Sequence, residues 1–336
     1  MISALIEKLG RREDLTADEA AGAMAIIMRG EAAPAQIAGL LVGLTMKGER
    51  PVELVGLART MRAEAVALAQ PVADVFDTCG TGGDRSGTFN ISTAAALVVA
   101  ACGVPVAKHG NRSVSSRCGS ADVLEALGVK VSAPPNVVER CLRDVGIAFF
   151  FAPTFHPAMR HAAQARKDLG VRTAFNLLGP LTNPAHASRQ IVGVPRPELT
   201  ELIARALLLL GSTRAWVVHG ADGLDELSTT GYTKVSECRD GAVQTFYVHP
   251  ADYGMAKSSL DALRGGDAVE NAHRIREIVD GADGPTRNIV LLNAGAALFI
   301  AGRAESVRSG IADAAEAIDS GRAKTVLSRL VEASHG

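Results

Sequence analysis

The chain predicts an α/β fold. A small N-terminal helical domain precedes a larger α/β domain with a mainly parallel central sheet and an antiparallel extension. Three observations carry this. Residues 1–65 show helical periodicity with no strand between the helices. From about Val72, short apolar strands alternate with helices. Polar, glycine-bearing loops stand where those strands end, which is where such sheets bind ligands. A length of 336 residues is enough for a large core and two domains. With 47% hydrophobic but only 4% aromatic residues, the interior should be built from Ala, Val and Leu and be rich in helix.

The elements follow in order. Thr16 and Glu19 form a capping box that opens a helix with Ala20, Ala23, Met24 and Ile27 on its apolar face. Pro34 suits a first helical position before Ile37, Leu40, Leu41 and Leu44, and Pro51 does the same before Leu54, Val55, Leu57 and Met61. These helices form a domain of residues 1–70, whose leftover apolar surface suits a dimer. The α/β domain takes residues 71–336. Strands are expected at 72–76, 104–107, 148–151, 190–194 and 215–219, and helices at 93–101, 121–127, 137–145, 156–169 and 198–210. Residues 228–247, with turns at Gly231 and Asp240-Gly241, read as the antiparallel extension, and 288–300 as a buried helix.

Composition narrows the function. The formal net charge is −1, which argues against a nucleic-acid or membrane-surface binder. No 18-residue apolar run and no secretory leader pattern is visible, so a cytoplasmic protein is expected. Five cysteines, widely spaced and without a C-x-x-C pair, read as free thiols rather than a zinc site. Cys79 has no visible activating partner.

The most informative stretch is Asp77-Thr78-Cys79-Gly80-Thr81-Gly82-Gly83-Asp84, followed by Asn90-Ile91-Ser92-Thr93. Glycines between a strand and a helix N-terminus suit an anion, because backbone N–H groups and the helix dipole favour phosphate. The loop matches neither G-x-x-x-x-G-K-[ST] nor G-x-G-x-x-G, so on its own it reads equally well as a structural turn. Lys108-His109-Gly110-Asn111-Arg112-Ser113-Val114-Ser115-Ser116 adds two fixed cations, a third if His109 is charged, and hydroxyl donors suited to phosphate oxygens. Ser120 is expected to cap the following helix.

Asp225-Glu226 is a carboxylate pair after a strand. Such a pair is ordinarily solvated charge, but opposite a polyphosphate it suits magnesium, with Asp84 or the Ser92 hydroxyl completing the bridge. Arg166 lies in a basic helix with Arg160, His161 and Lys167 that otherwise reads as a solvated face. The run Phe175-Asn176-Leu177-Leu178-Gly179-Pro180-Leu181-Thr182-Asn183-Pro184 has two Gly/Pro turns in an apolar segment, a shape suited to the wall of a small aromatic pocket.

These motifs, in this order and across essentially the whole chain, resemble the anthranilate phosphoribosyltransferase family. The glycine and lysine loops are shared more loosely with thymidine and pyrimidine nucleoside phosphorylases, which would leave Asp225-Glu226 without a role. The resemblance implies a homodimer, a helical domain completed by helices from about 160–190, and the tryptophan-pathway transfer of phosphoribosyl from 5-phosphoribosyl 1-pyrophosphate to anthranilate. It implies that Gly80, Gly83, Asp84, Thr88, Asn90, Ile91, Ser92 and Thr93 bind the diphosphate. Lys108, His109, Gly110, Asn111, Arg112, Ser113, Val114, Ser115, Ser116 and Ser120 would complete the phosphoribosyl pyrophosphate site. Gly80, Asn111 and Arg166, with His109 and Pro180 beside them, would bind anthranilate. Ser92, Asp225 and Glu226 would hold magnesium, as two ions, and Lys108, Asp225 and Glu226 would carry the catalysis.

Overall fold

The computed structural model describes residues 1–113 and 117–336, so Val114, Ser115 and Ser116 lie outside the described residues. Four helices come first: α1 (Ile2–Gly10), α2 (Ala17–Met28), α3 (Pro34–Lys47) and α4 (Pro51–Ala63). Thr16 and Glu19 make the predicted capping box, and Pro34 and Pro51 sit in the first turns of α3 and α4. Ile37, Leu40, Leu41 and Leu44 are buried, each worth about 2 kcal/mol in removed apolar surface. The carboxylate of Glu53 is fully buried because the Leu15 and Arg50 N–H groups and Lys47 Nζ all donate to it.

The remainder alternates: β1 (Phe76–Asp77), α5 (Ile91–Ala101), β2 (Val106–Gly110), α6 (Ser120–Leu127), α7 (Pro135–Val145), β3 (Ile147–Phe151), α8 (Ala152–Phe155), α9 (Arg160–Leu169), α10 (Ala174–Leu177), β4 (Arg189–Gly193), α11 (Leu199–Leu209) and β5 (Arg214–Gly220). The hairpin β6 (Thr233–Arg239) and β7 (Ala242–Val248) follows, then α12 (Ala268–Val279), α13 (Pro285–Ile300), α14 (Val307–Asp319) and α15 (Arg322–Ser334). The seven-stranded sheet runs β3-β2-β1-β4-β5-β6-β7, parallel through β5 and antiparallel from β5 to β7. Of α13, Ile289, Leu292, Ala296 and Leu298 are among the fully buried residues, as expected of a helix apolar on all sides.

Two apolar clusters organise the chain. One surrounds α5, α13 and the β3-β2-β1 side of the sheet. The other joins α1 to α4 with Ala162, Ala165, Phe175, Leu178 and α11. Among the described residues no helix is long and apolar enough to cross a membrane.

Some boundaries differ from expectation. Residues 72–75 are not strand, because the chain first pairs with β2 and β4 at Phe76. The second strand extends through Gly110, since Lys108, His109 and Gly110 pair in register with Phe149, Phe150 and Phe151. The helix expected from His156 begins at Arg160, after a 3-10 turn over Pro157–Met159. Ser120 opens α6 rather than capping it. Gly119 is the N-cap, and the Asp122 carboxylate accepts from the N–H of Gly119 and from that of Ser113.

Candidate active site

Sheet order places β1 between β2 and β4, so the chain turns in opposite directions from the centre of the sheet. At such a switch point the carboxyl ends of strands leave a crevice. The glycine loop after β1, the end of β2, Gly193 at the end of β4 and the 221–226 loop after β5 meet there. With α9, α10 and Gly179 as the opposite wall, they enclose a cleft of about 620 Å³.

The glycine loop is tied to β4, since the Thr81 N–H donates to Gly193 O at 2.9 Å. Gly83 takes φ +85°, a left-handed conformation that an L side chain rarely adopts. Below the loop, Asp77 is fully buried and accepts from Asn183 Nδ2 (2.7 Å) and the His109 N–H (3.2 Å). Burial pushes its carboxyl up to about 6, although Asn183, Lys108 and the backbone donors oppose that. The same Asn183 amide donates to Ala107 O (2.8 Å), so the Gly/Pro-rich wall is fastened to β1 and β2 together. Burial, with Asp77 nearby, raises the Cys79 thiol far above its ordinary range, which keeps it unreactive. All five cysteines are free and buried, as expected.

Lys108 is buried, and its Nζ donates to Thr78 O (3.2 Å), Thr78 Oγ1 (3.1 Å) and Ser92 Oγ (3.4 Å). His109 is not a third cation. Burial, then the neighbouring His156 ring, lowers it to about 3. Its Nδ1 lies 3.1 Å from Gly179 O, which assigns the proton to Nδ1 and leaves Nε2 a buried acceptor without a partner among the described residues. Asn111, Arg112, Ser113 and Ser120 line the cleft, with Arg112 paired to Asp122 and Glu125 at its rim.

At the start of α5 the Ser92 N–H donates to Glu226 Oε1 at 3.1 Å. Both acids of the 225–226 pair are raised. Desolvation is the main cause for each, followed by Asp84 for Asp225 and by Asp225 for Glu226. Two desolvated carboxyls whose charge Lys108 and Arg172 offset only in part fit a hard divalent cation. Among the described residues no group of three or more His, Cys, Asp or Glu is gathered tightly enough to hold an ion alone. Oxygens of a bound substrate would therefore have to complete the shell.

On the other wall, Arg166 projects from α9 with its guanidinium 5.9 Å from the Phe175 ring centroid. Burial lowers its pKa, and among the described residues no carboxylate is paired with it. A lone cation beside an apolar ring suits a small aromatic acid.

Not every predicted residue lines the cleft. Asp84 raises the Asp225 carboxyl by its charge and accepts from Ser86 Oγ, while Thr88 bridges to Arg264. The Ile91 side chain is in the core, and Pro180 is buried, its carbonyl accepting from Gln190 Nε2 at 2.9 Å. Sequence reading missed Arg172, Gly193, Met61 and His156, all of which line the cleft. Nothing local marks Met61 or His156. Gly193 had one available signal, as a glycine closing an apolar strand.

Residues 72–324 match the family described as the glycosyl transferase family a/b domain, and residues 3–65 its helical bundle domain. An anthranilate phosphoribosyltransferase of Moorella thermoacetica is 54% identical over 331 residues, covering 98% of each chain. One from Syntrophobacter fumaroxidans is likewise 54% identical over 98% of each. The crystal structure of the Thermus thermophilus anthranilate phosphoribosyltransferase superposes with TM-score 0.93 at 45% identity, covering 98% of this chain and 99% of that one. The Saccharomyces cerevisiae enzyme in complex with PRPP and Mg superposes with TM-score 0.90 at 26% identity, over 99% and 98% of the chains. On the glycine loop, the buried lysine, the desolvated acid pair and this likeness along its full length, the chain belongs to the anthranilate phosphoribosyltransferase family.

Proposed function

We propose that the cleft binds 5-phosphoribosyl 1-pyrophosphate and anthranilate, and that the chain transfers the phosphoribosyl group to the anthranilate amine. The products are N-(5-phosphoribosyl)anthranilate and pyrophosphate, in the route to tryptophan. The observation that carries this reading is the pairing, in one cleft, of a phosphate-type wall (glycine loop, Lys108, acid pair) with an aromatic-acid wall (Arg166 over Phe175). Relatives at 54% identity bear the name of that activity.

In this reading Gly80, Gly83, Asp84, Thr88 and residues 90–93 serve the diphosphate, and residues 108–116 with Ser120 serve the rest of the phosphoribosyl donor. Ser92, Asp225 and Glu226 hold Mg²⁺, as two ions, together with diphosphate oxygens. Bound there, the metal adds positive charge where the leaving pyrophosphate gains negative charge. Lys108 is already fixed by three hydrogen bonds and adds its own charge with no reorganisation. The bond from ribose C1 to the pyrophosphate oxygen breaks, the amine nitrogen bonds to C1, and the nitrogen releases one proton to solvent. The aromatic amine has a free lone pair, so orientation rather than a strong base does the remaining work.

The reading extends to assembly. A helical domain of residues 1–70, joined by helices around 160–190, stands beside an α/β domain of residues 71–336. A homodimer forms through the helical domain, where Met46 and Val52 leave apolar surface exposed, and the enzyme works in the cytoplasm. Anthranilate fluorescence is expected to fall when phosphoribosyl pyrophosphate and Mg²⁺ are added to the protein; unchanged fluorescence overturns the reading.

Arg166→Ala is expected to raise the anthranilate KM about 10- to 100-fold, the range for losing charged hydrogen bonds. The KM for phosphoribosyl pyrophosphate should change far less. Steady-state kinetics with each substrate varied in turn check this, and equal effects on both would defeat the assignment.

A further inference from the structure

Arg172 lies between the two walls of the cleft. It follows α9, after the turn at Gly170, and its side chain crosses from the aromatic-acid wall to the glycine loop. Its Nη2 donates to Thr81 O at 3.1 Å. The guanidinium also lies against Gly83, filling the space where any side chain at that position would stand. Burial lowers its pKa while Asp225 and Asp84 oppose that, so the cation is held near both acids. Yet among the described residues no carboxylate comes within the 4.0 Å of an ion pair with it. Guanidinium carries five N–H donors in a fixed fork that matches phosphate oxygens. One of them bonds Thr81, and the structure gives the others no acceptor among the described residues.

We propose that Arg172 binds the diphosphate and bridges the two halves of the site, which rests on the function proposed above. The glycine loop is built to take anions from its N–H side, and Arg172 holds it from the opposite wall while keeping donors free. The close approach requires Gly83, because a methyl there would displace the guanidinium. A phosphoribosyl donor seated on the loop would meet those donors, and the fork would fix the leaving group relative to Arg166, on the preceding helix.

The test uses the full chain with Mg²⁺, and calorimetry of phosphoribosyl pyrophosphate binding to wild type, Arg172→Gln and Arg172→Lys. Arg172→Gln should bind at least about tenfold more weakly, the scale of one charged hydrogen bond. Arg172→Lys should recover part of the loss, since it restores the charge without the fork. The anthranilate KM should move much less than that of the phosphoribosyl donor, and the Tm should hold, because the Arg172 side chain makes one hydrogen bond among the described residues. Equal binding by wild type and Arg172→Gln overturns this proposal alone. So does equal weakening in both variants together with a lowered Tm, which marks a purely structural latch. If wild type itself binds no phosphoribosyl pyrophosphate, the proposed function falls as well.

Discussion

Combining Asp225→Asn with Glu226→Gln is expected to reduce turnover by at least about 100-fold, the scale of removing preorganised charge from a transition state. The same change should make the metal-free fold more stable at neutral pH. Both acids are desolvated and stand near other carboxylates, so holding them ionised costs folding free energy. The sign follows from linkage. Their folded-state pKa values lie above the unfolded ones, so their stabilising contribution is complete below the ordinary carboxylate range and is lost as pH rises toward neutrality. The neutral amides do not titrate. The Tm gap between variant and wild type in EDTA should therefore be small near pH 4 and widen toward pH 7. The amide carbonyl introduced by Glu226→Gln would still accept from the Ser92 N–H that now bonds Glu226. Turnover retained in the double variant would remove the acids from the mechanism. A Tm gap that does not grow with pH would mean that the acids are not desolvated as described.

Gly193→Ala is expected to cost activity on a similar scale by displacing the acid loop. A methyl on Gly193 would run into the backbone carbonyl of Asp225. β4 is pinned by its register with β5, where Gly193 pairs with Val218. The 221–226 loop therefore has to lift, carrying both acids away from Ser92. Overpacking of this kind costs about 1–3 kcal/mol, and a displacement of about 1 Å in a catalytic constellation costs on the order of 100-fold in rate. Gly231→Ala is the control, because a methyl there would meet nothing within 4 Å. A Gly193→Ala enzyme with wild-type kcat/KM would show that the acid loop tolerates the shift.

Signals within one element are legible in the sequence. The Thr16 box, Pro34 and Pro51 read correctly because capping and proline geometry are decided within one turn. The β6–β7 hairpin is visible from its turn at Asp240-Gly241, where both residues take positive φ. Sequence and structure part where a partner decides. Lys108 and His109 read as loop because polar residues follow an apolar run. Pairing with the three phenylalanines of β3 makes them strand, and burial makes His109 neutral. Ser120 has the right chemistry for a cap, but the helix begins one residue earlier than that role needs: Gly119 is the N-cap and the Ser120 hydroxyl donates to Asn111 O.

By itself the sequence determined the α/β class, the helical N-terminus and an inventory of phosphate- and acid-binding residues. Composition, periodicity and motif order are properties of the chain, present whether or not it is folded. Only the tertiary structure decided which residues share the cleft. It placed Arg172 on the glycine loop, set Gly193 beneath Asp225, and joined Asp77 to the far wall through Asn183. Those contacts span sequence separations of 91 and 106 residues for the Arg172 and Asn183 bonds. Sheet order creates them by setting strands distant in sequence side by side, and no local pattern encodes a distance of that kind.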